Sequence, residues 1–205
     1  SNLMKIIAYY APDGFIDYLS MFYIFAKDTR FDSIEDYFVN PFRVFIQKHT
    51  EDFLNWELRD DFLFFCIEKF QELFNQDIDL VPPSEFDGTY FFGCLVSLFL
   101  LIPDLLDAEL VQNLFNFSLE KLQQNSFFMV RYICFDVITS IIISRKVVIP
   151  EDAFMLFLSF ISEGYAFRFY EQKKYMCAIL EIRSSYSQEI NGHIDHLLSI
   201  FTLTY

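Results

Sequence analysis

The chain has 205 residues, 54% of them hydrophobic and 21% charged, and a net charge of -14. That apolar share excludes a disordered chain, and the acidic balance argues against nucleic acid, whose binding draws most of its affinity from Lys and Arg set against phosphates. With 28 Phe and 12 Tyr and only 5 Gly and 6 Pro, the chain is long enough to bury a substantial core and is expected to form a single domain over 1–205.

Pro12-Asp13-Gly14 opens a helix that runs through Phe15, Tyr18, Leu19, Phe22 and Ile24 and closes at Asp28-Thr29. Ser33 followed three residues later by Asp36 has the form of a capped start, and Pro41 is expected to begin the next helix at its first position. From Asp52 to Asn75, charge and ring alternate at helical spacing, with Phe62, Phe65, Phe70 and Phe74 among the apolar positions. The stretch 76–89 contains Pro82, Pro83 and Gly88 with the acids Asp77, Asp79, Glu85 and Asp87, and it predicts the longest loop. Helices are then predicted over 90–102, 107–123, 126–145, 150–163, 166–185 and 189–203. The punctuation is Pro103-Asp104, Asn125-Ser126, Ile149-Pro150-Glu151-Asp152, Gly164 and Asn191-Gly192. No stretch reads as a strand, so the expectation is about nine or ten helices, antiparallel where the connections are short.

The run from Tyr90 to Ile102 is almost free of polar side chains but ends at Pro103 after thirteen residues, where a membrane-spanning helix needs about 20. The run from Phe127 to Ile143 carries Arg131 and Asp136, and a charge at a bilayer centre costs about 2.5 to 3.5 kcal/mol. Both therefore read as buried helices, with no membrane span expected. No secretory leader is read at the N-terminus. Cys66, Cys94, Cys134 and Cys177 are widely spaced in apolar segments with no CxxC pair, which predicts small core residues in a reducing compartment, the cytoplasm or nucleus. Asn116-Phe117-Ser118 has the form of a glycosylation acceptor but falls inside a periodic helix rather than a loop.

A shift of 43 residues lays Val111–Ser144 over Phe154–Ser187 without a gap. Phe117 then meets Phe160, Glu120 meets Glu163, Tyr132 meets Tyr175, Cys134 meets Cys177 and Ser144 meets Ser187, in a shared order of helix, break and longer helix. Over about residues 90–203 this period resembles armadillo and HEAT repeats, whose units are two or three helices of about 40 to 47 residues. The resemblance implies an all-α fold, a right-handed α-solenoid or superhelical stack, that serves as a scaffold with an extended groove for a peptide or helix. The chain departs from the pattern at Lys121, where the second unit has Gly164, and shows no Asn ladder.

Chemistry-bearing motifs are scarce. His193 and His196 stand at i and i+3 with Asp195 between them, the beginning of a metal set that needs ligands from elsewhere; polar first-turn residues of the last helix are the simpler reading, and no metal or other cofactor is expected. Asp60-Asp61 resembles the start of an aspartate-rich magnesium motif but lacks its further carboxylate, since Phe64 and Phe65 follow. There is no GxSxG, HExxH, P-loop or dinucleotide fingerprint, and no enzyme is read. The one basic concentration is Arg168, Lys173, Lys174 and Arg183, with Arg131, Arg145 and Lys146 upstream; among them Arg131, in register with Lys174, and Arg168, Lys173 and Lys174 could line one groove. These four are the candidate residues for an acidic or amphipathic protein partner, against the simpler reading of solvated ion pairs. The expected function is thus an interaction scaffold or adaptor. The alternatives are a structural subunit of an obligate oligomer, or a helical enzyme or lipid carrier without a recognisable motif.

Overall fold

The computed structural model describes residues 2–26, 35–75, 83–124, 128–144, 147–162, 176–177, 179–180 and 183–203. Among these the chain forms ten α-helices and no strand. It divides into two compact units, Ser1–Leu105 and Leu106–Tyr205.

In the first unit, α1 (Asn2–Tyr10) and α2 (Pro12–Ala26) are separated by Ala11 alone. Helical hydrogen bonding is kept at the joint, where the Ala11 amide donates to the Ile7 carbonyl at 2.9 Å and the Phe15 amide to the Ala11 carbonyl at 3.0 Å. Pro12 takes the first position of α2, where a proline costs no hydrogen bond that the turn would otherwise make. Phe15, Leu19 and Phe22 fall at i, i+4 and i+7, so one face of α2 is apolar and buried.

Helix α3 (Glu35–Lys48) carries Pro41 in its interior. Pro41 was expected to start this helix, and the helix instead begins six residues earlier. A proline there removes the amide that would bond to the Tyr37 carbonyl and costs about 3 kcal/mol in an isolated helix. Burial on both sides of it overrides that cost: Phe38 and Val39 before it, and Phe42, Phe45 and Ile46 after it, are all in the core.

The charged and aromatic stretch after position 50 is two helices, α4 (Thr50–Leu54) and α5 (Arg59–Asn75), divided by a turn that buries Trp56. The indole Nε1 of Trp56 donates to Ser20 Oγ at 3.0 Å, and that hydroxyl donates to the Ile16 carbonyl at 2.9 Å, which ties the turn to α2. Helix α6 (Pro83–Leu100) begins within the stretch read as a loop, so residues 83–89 are helical, while 76–82 lie outside the described residues. Pro83 at the first helical position, followed by Ser84 and Glu85, is a favourable start. Every residue from 91 to 100 is buried, so this part of α6 is covered all round.

The rings join these helices. Phe42 from α3 lies 5.6 Å from Phe53 of α4, 6.2 Å from Phe62 of α5 and 5.9 Å from Phe99 of α6, centroid to centroid. Phe99 closes the cluster at 6.0 Å from both Phe53 and Phe62. Phe22 extends it by stacking on Phe38 at 4.0 Å and by lying 5.8 Å from Phe91. After α6, the Pro103-Asp104 turn holds Asp104 at φ 58°, a left-handed conformation that Asp tolerates better than most residues.

In the second unit, α7 (Ala108–Gln124) buries Val111, Leu114, Phe115, Ser118 and Leu122. Asp107 caps it, its Oδ1 accepting from the Leu110 amide at 2.7 Å. It packs on α8 (Phe128–Ser144), whose described side chains from 131 to 144 include none that is exposed. The expectation that this apolar stretch is covered on several sides is met. Helix α9 (Glu151–Ser162) buries Phe154, Phe157, Leu158 and Ile161, and Phe157 meets Phe135 of α8 at 5.3 Å.

A short 3-10 turn, Arg183–Ser185, leads to α10 (Gln188–Leu203), which packs on α9. Tyr186 stacks on Phe154 at 4.4 Å, and Glu151 accepts from the Ser187 amide at 3.1 Å. Asn191-Gly192 lies inside the first turns of α10, not at a break, because Ser187 caps the helix start. Most of the predicted helix over 166–185 falls outside the described residues.

Two outcomes are expected from this packing. Phe62→Ala should lower the unfolding free energy by about 3 to 5 kcal/mol, the cost of emptying a filled ring site, as read by denaturant titration of Trp56 fluorescence. Thr139 is wholly buried and its hydroxyl has no partner among the described residues. Thr139→Val keeps the shape and removes that polar group, so stability should rise by about 1 kcal/mol in the same assay followed by circular dichroism.

Candidate functional site

The basic cluster read from the sequence is placed only in part. Arg131 is 8% exposed, and its guanidinium carbon lies 5.5 Å above the Phe160 ring, so it packs between α8 and α9 inside the second unit. A buried guanidinium held against a ring supplies cation–π attraction and packing rather than an open anion contact. Arg168, Lys173 and Lys174 lie outside the described residues.

The other sequence candidates are dispersed. His193 and His196 are both exposed on α10, and the Asp195 carboxylate accepts from Arg183 Nη2 at 2.6 Å. Asp60 is engaged by its neighbour, with Arg59 Nε donating to Oδ1 at 2.7 Å, and that hydrogen bond holds the Asp60 carboxyl below its usual range. No group of three or more potential metal ligands occurs among the described residues. No described helix is long and apolar enough to cross a membrane.

The cysteines divide in a way the sequence reading did not anticipate. All four are free thiols; Cys66, Cys94 and Cys134 are buried, but Cys177 is exposed. Burial pushes the Cys66 and Cys134 thiols well above their ordinary range, because a thiolate there would be desolvated. The expected core role therefore holds for three and is corrected for Cys177. Its alignment with Cys134 matched identity without matching environment.

The surface that stands out is one the sequence reading missed. Helix α1 exposes Leu3 at 68%, Ile6 at 55%, Tyr9 at 41% and Tyr10 at 77%, while Ala8 is wholly buried. Leu3, Ile6 and Tyr10 recur at i, i+3 and i+7, which places them on one face. Lys5 is the only charged residue in this helix. This helix packs on α3 and meets α2, and the face bearing Leu3, Ile6 and Tyr10 is left exposed. On α2, Met21 and Ile24 are also exposed, with the exposed acids Asp13 and Asp17 earlier on the same face.

The C-terminal end of α1 is held at a polar corner. Tyr9 and Tyr10 meet edge to face at 4.6 Å, and Lys48 Nζ lies 5.1 Å above the Tyr9 ring. His49, between α3 and α4, places Nε2 at 2.9 Å from the Tyr9 carbonyl oxygen and Nδ1 at 3.2 Å from Asp52 Oδ2. The spacing of Leu3, Ile6 and Tyr10 was available in the sequence. At nine residues the helix is shorter than the window over which periodicity announces a helix, and spacing alone does not say which of its faces is covered.

No family model matches the chain, and no curated protein or solved structure does.

The division of the cysteines has a direct consequence in solution. A thiol-specific chromogenic reagent should modify one group rapidly in the native protein, and Cys177→Ser should abolish that phase. The remaining three thiols should react only when denaturant unfolds the chain.

Proposed function

We propose that this protein is an interaction scaffold whose first unit receives an amphipathic helix of a partner protein along the open face of α1. The observation that carries the reading is the row Leu3, Ile6 and Tyr10, exposed on a helix whose opposite side is packed. Leaving such a row in water forgoes roughly 25 cal/mol for each Å² of apolar surface, and contiguous apolar patches of a few hundred Å² mark interaction sites on soluble proteins. Charge selects the kind of partner. Asp13 and Asp17 follow the row on α2, and residues 1–102 carry 17 acidic against 7 basic groups. The fitting segment therefore sets apolar positions against the row and Lys or Arg beside the acids. A second copy of the chain, itself at -14, would be repelled.

A second reading rests on the other unit. Helices α7 and α9 begin at Ala108 and Glu151, the same 43-residue shift found in the sequence, which favours repeat units of armadillo or HEAT type over this part of the chain. On that reading Arg168, Lys173 and Lys174 face an acidic segment, while Arg131 contributes by packing α8 on α9.

The two surfaces are separable by mutation. Ile6→Asp with Tyr10→Asp should weaken binding of a captured partner by at least tenfold while leaving the melting temperature unchanged within about 2 °C, since both side chains already face water. Lys173→Glu with Lys174→Glu should leave that interaction intact and abolish only one made through the second unit. A partner retained by both double variants would contradict both assignments.

A further inference from the structure

We infer that the docking face of α1 continues across the joint onto α2, as one seam for a single partner helix that is basic in its middle and apolar at both ends. This rests on the reading of α1 as a docking face and adds to it a second anchor, a length and an order of side chains.

The two helices keep one helical phase. Ala8 of α1 and Phe15, Leu19 and Phe22 of α2 are buried at successive steps of 7, 4 and 3 residues, so a single stripe faces the core. The Ala11 amide still donates to the Ile7 carbonyl, and the Phe15 amide to the Ala11 carbonyl, on either side of Pro12. A Cβ on Gly14 would lie 4.0 Å from both Ala11 Cβ and Ile7 Cγ2, so positions 7, 11 and 14 adjoin as they do along one helix.

The opposite side is open over the whole length. After Leu3, Ile6 and Tyr10 come Asp13, Asp17, Met21 and Ile24, all exposed, and the five uncharged ones are each more than half exposed. These seven positions cover 21 residues in six steps of three or four, a mean of 3.5, which is the repeat of a coiled-coil seam. At the helical rise the seam is about 32 Å long, which a helix of about 22 residues covers.

Its ends are apolar and its middle is acidic. Neither Asp13 nor Asp17 has an ion pair or side-chain hydrogen bond among the described residues. An apolar helix laid along the seam would desolvate both carboxylates without a partner, whereas Lys or Arg at its two central seam positions answers them. Other occupants meet the same two charges. A second copy paired in parallel sets Asp13 and Asp17 against themselves, and one paired antiparallel about the middle brings the two Asp13 side chains together. A lipid surface would take the apolar ends only by drawing the acids between them into an interface whose anionic head groups repel them.

The test uses the full chain and two synthetic helical peptides of about 22 residues and equal composition, read by fluorescence anisotropy. One carries Lys and Arg at the two central seam positions between apolar ends; the other has the basic pair moved to one end. The first should bind about tenfold tighter, and Asp13→Asn with Asp17→Asn should remove that preference. Met21→Asp with Ile24→Asp should weaken the first peptide at least tenfold, as Ile6→Asp with Tyr10→Asp does. Should the charged pair unfold the chain by circular dichroism, Met21→Ala with Ile24→Ala takes its place, with a loss of at least threefold. Equal affinities, or no binding of the basic-middle peptide, overturn the seam. Binding lost in the Ile6 and Tyr10 pair but undiminished in the Met21 and Ile24 pair also overturns it, and leaves α1 as a docking face by itself. Binding undiminished in both pairs overturns the seam and the α1 face together. Self-association of the chain that the Met21 and Ile24 pair dissolves would assign the seam to a second copy and overturn the proposal.

Discussion

Four phenylalanines hold the first unit together. Phe42, Phe53, Phe62 and Phe99 come from α3, α4, α5 and α6, and each is wholly buried. Their edge-to-face and stacked contacts cross every boundary between those helices except that between Phe53 and Phe62. Each such pair contributes about 0.5 to 1.5 kcal/mol beyond the apolar area it removes from water. The cluster also explains why less favourable local features survive. Pro41 sits one residue before Phe42, and α4 is only five residues long, too short to persist alone. Both are retained because the rings they deliver have fixed places to fill.

The second unit reaches burial by another route. Helix α8 has almost no amphipathic character, so its fold depends on being covered from several directions rather than on presenting one face. That arrangement accepts buried polar groups as well. Thr139 and Ser140 are wholly enclosed, and Arg131 lies against Phe160. The stack of Tyr186 on Phe154 and the hydrogen bond from Ser187 to Glu151 then fix the approach to α10. In this unit aliphatic side chains and the buried rings Phe115, Phe135, Phe154 and Phe157 fill the centre together, and Tyr186 stacks on Phe154 beside them.

Much of this was legible in the residues. The helices at 107–123, 126–145, 150–163 and 189–203 follow from apolar spacing and from caps such as Asp107, and the structure places them within two residues of those limits. Other features were not. Pro41 reads locally as a helix start, and only packing on both sides keeps it in an interior. Cys134 and Cys177 occupy matching positions in the sequence, yet one is buried and the other exposed. Arg131 reads as a groove residue, whereas α9 covers it. Each case turns on neighbours distant in sequence.

The sequence by itself determined the all-helical class, most helix limits and the acidic character, because these depend on interactions within a few residues or on composition alone. Tertiary structure decided which apolar side chains are left in water. Leu3, Ile6 and Tyr10 are as hydrophobic as Phe15 and Leu19, and nothing in their local pattern separates the two groups. The difference is that α2 turns Phe15 and Phe22 against Phe45 and Phe38 of α3, while the face of α1 that carries the row is left exposed. The contact of His49 with the Tyr9 carbonyl has the same origin, since the two residues are 40 apart in sequence and meet only where α1 ends beside α3.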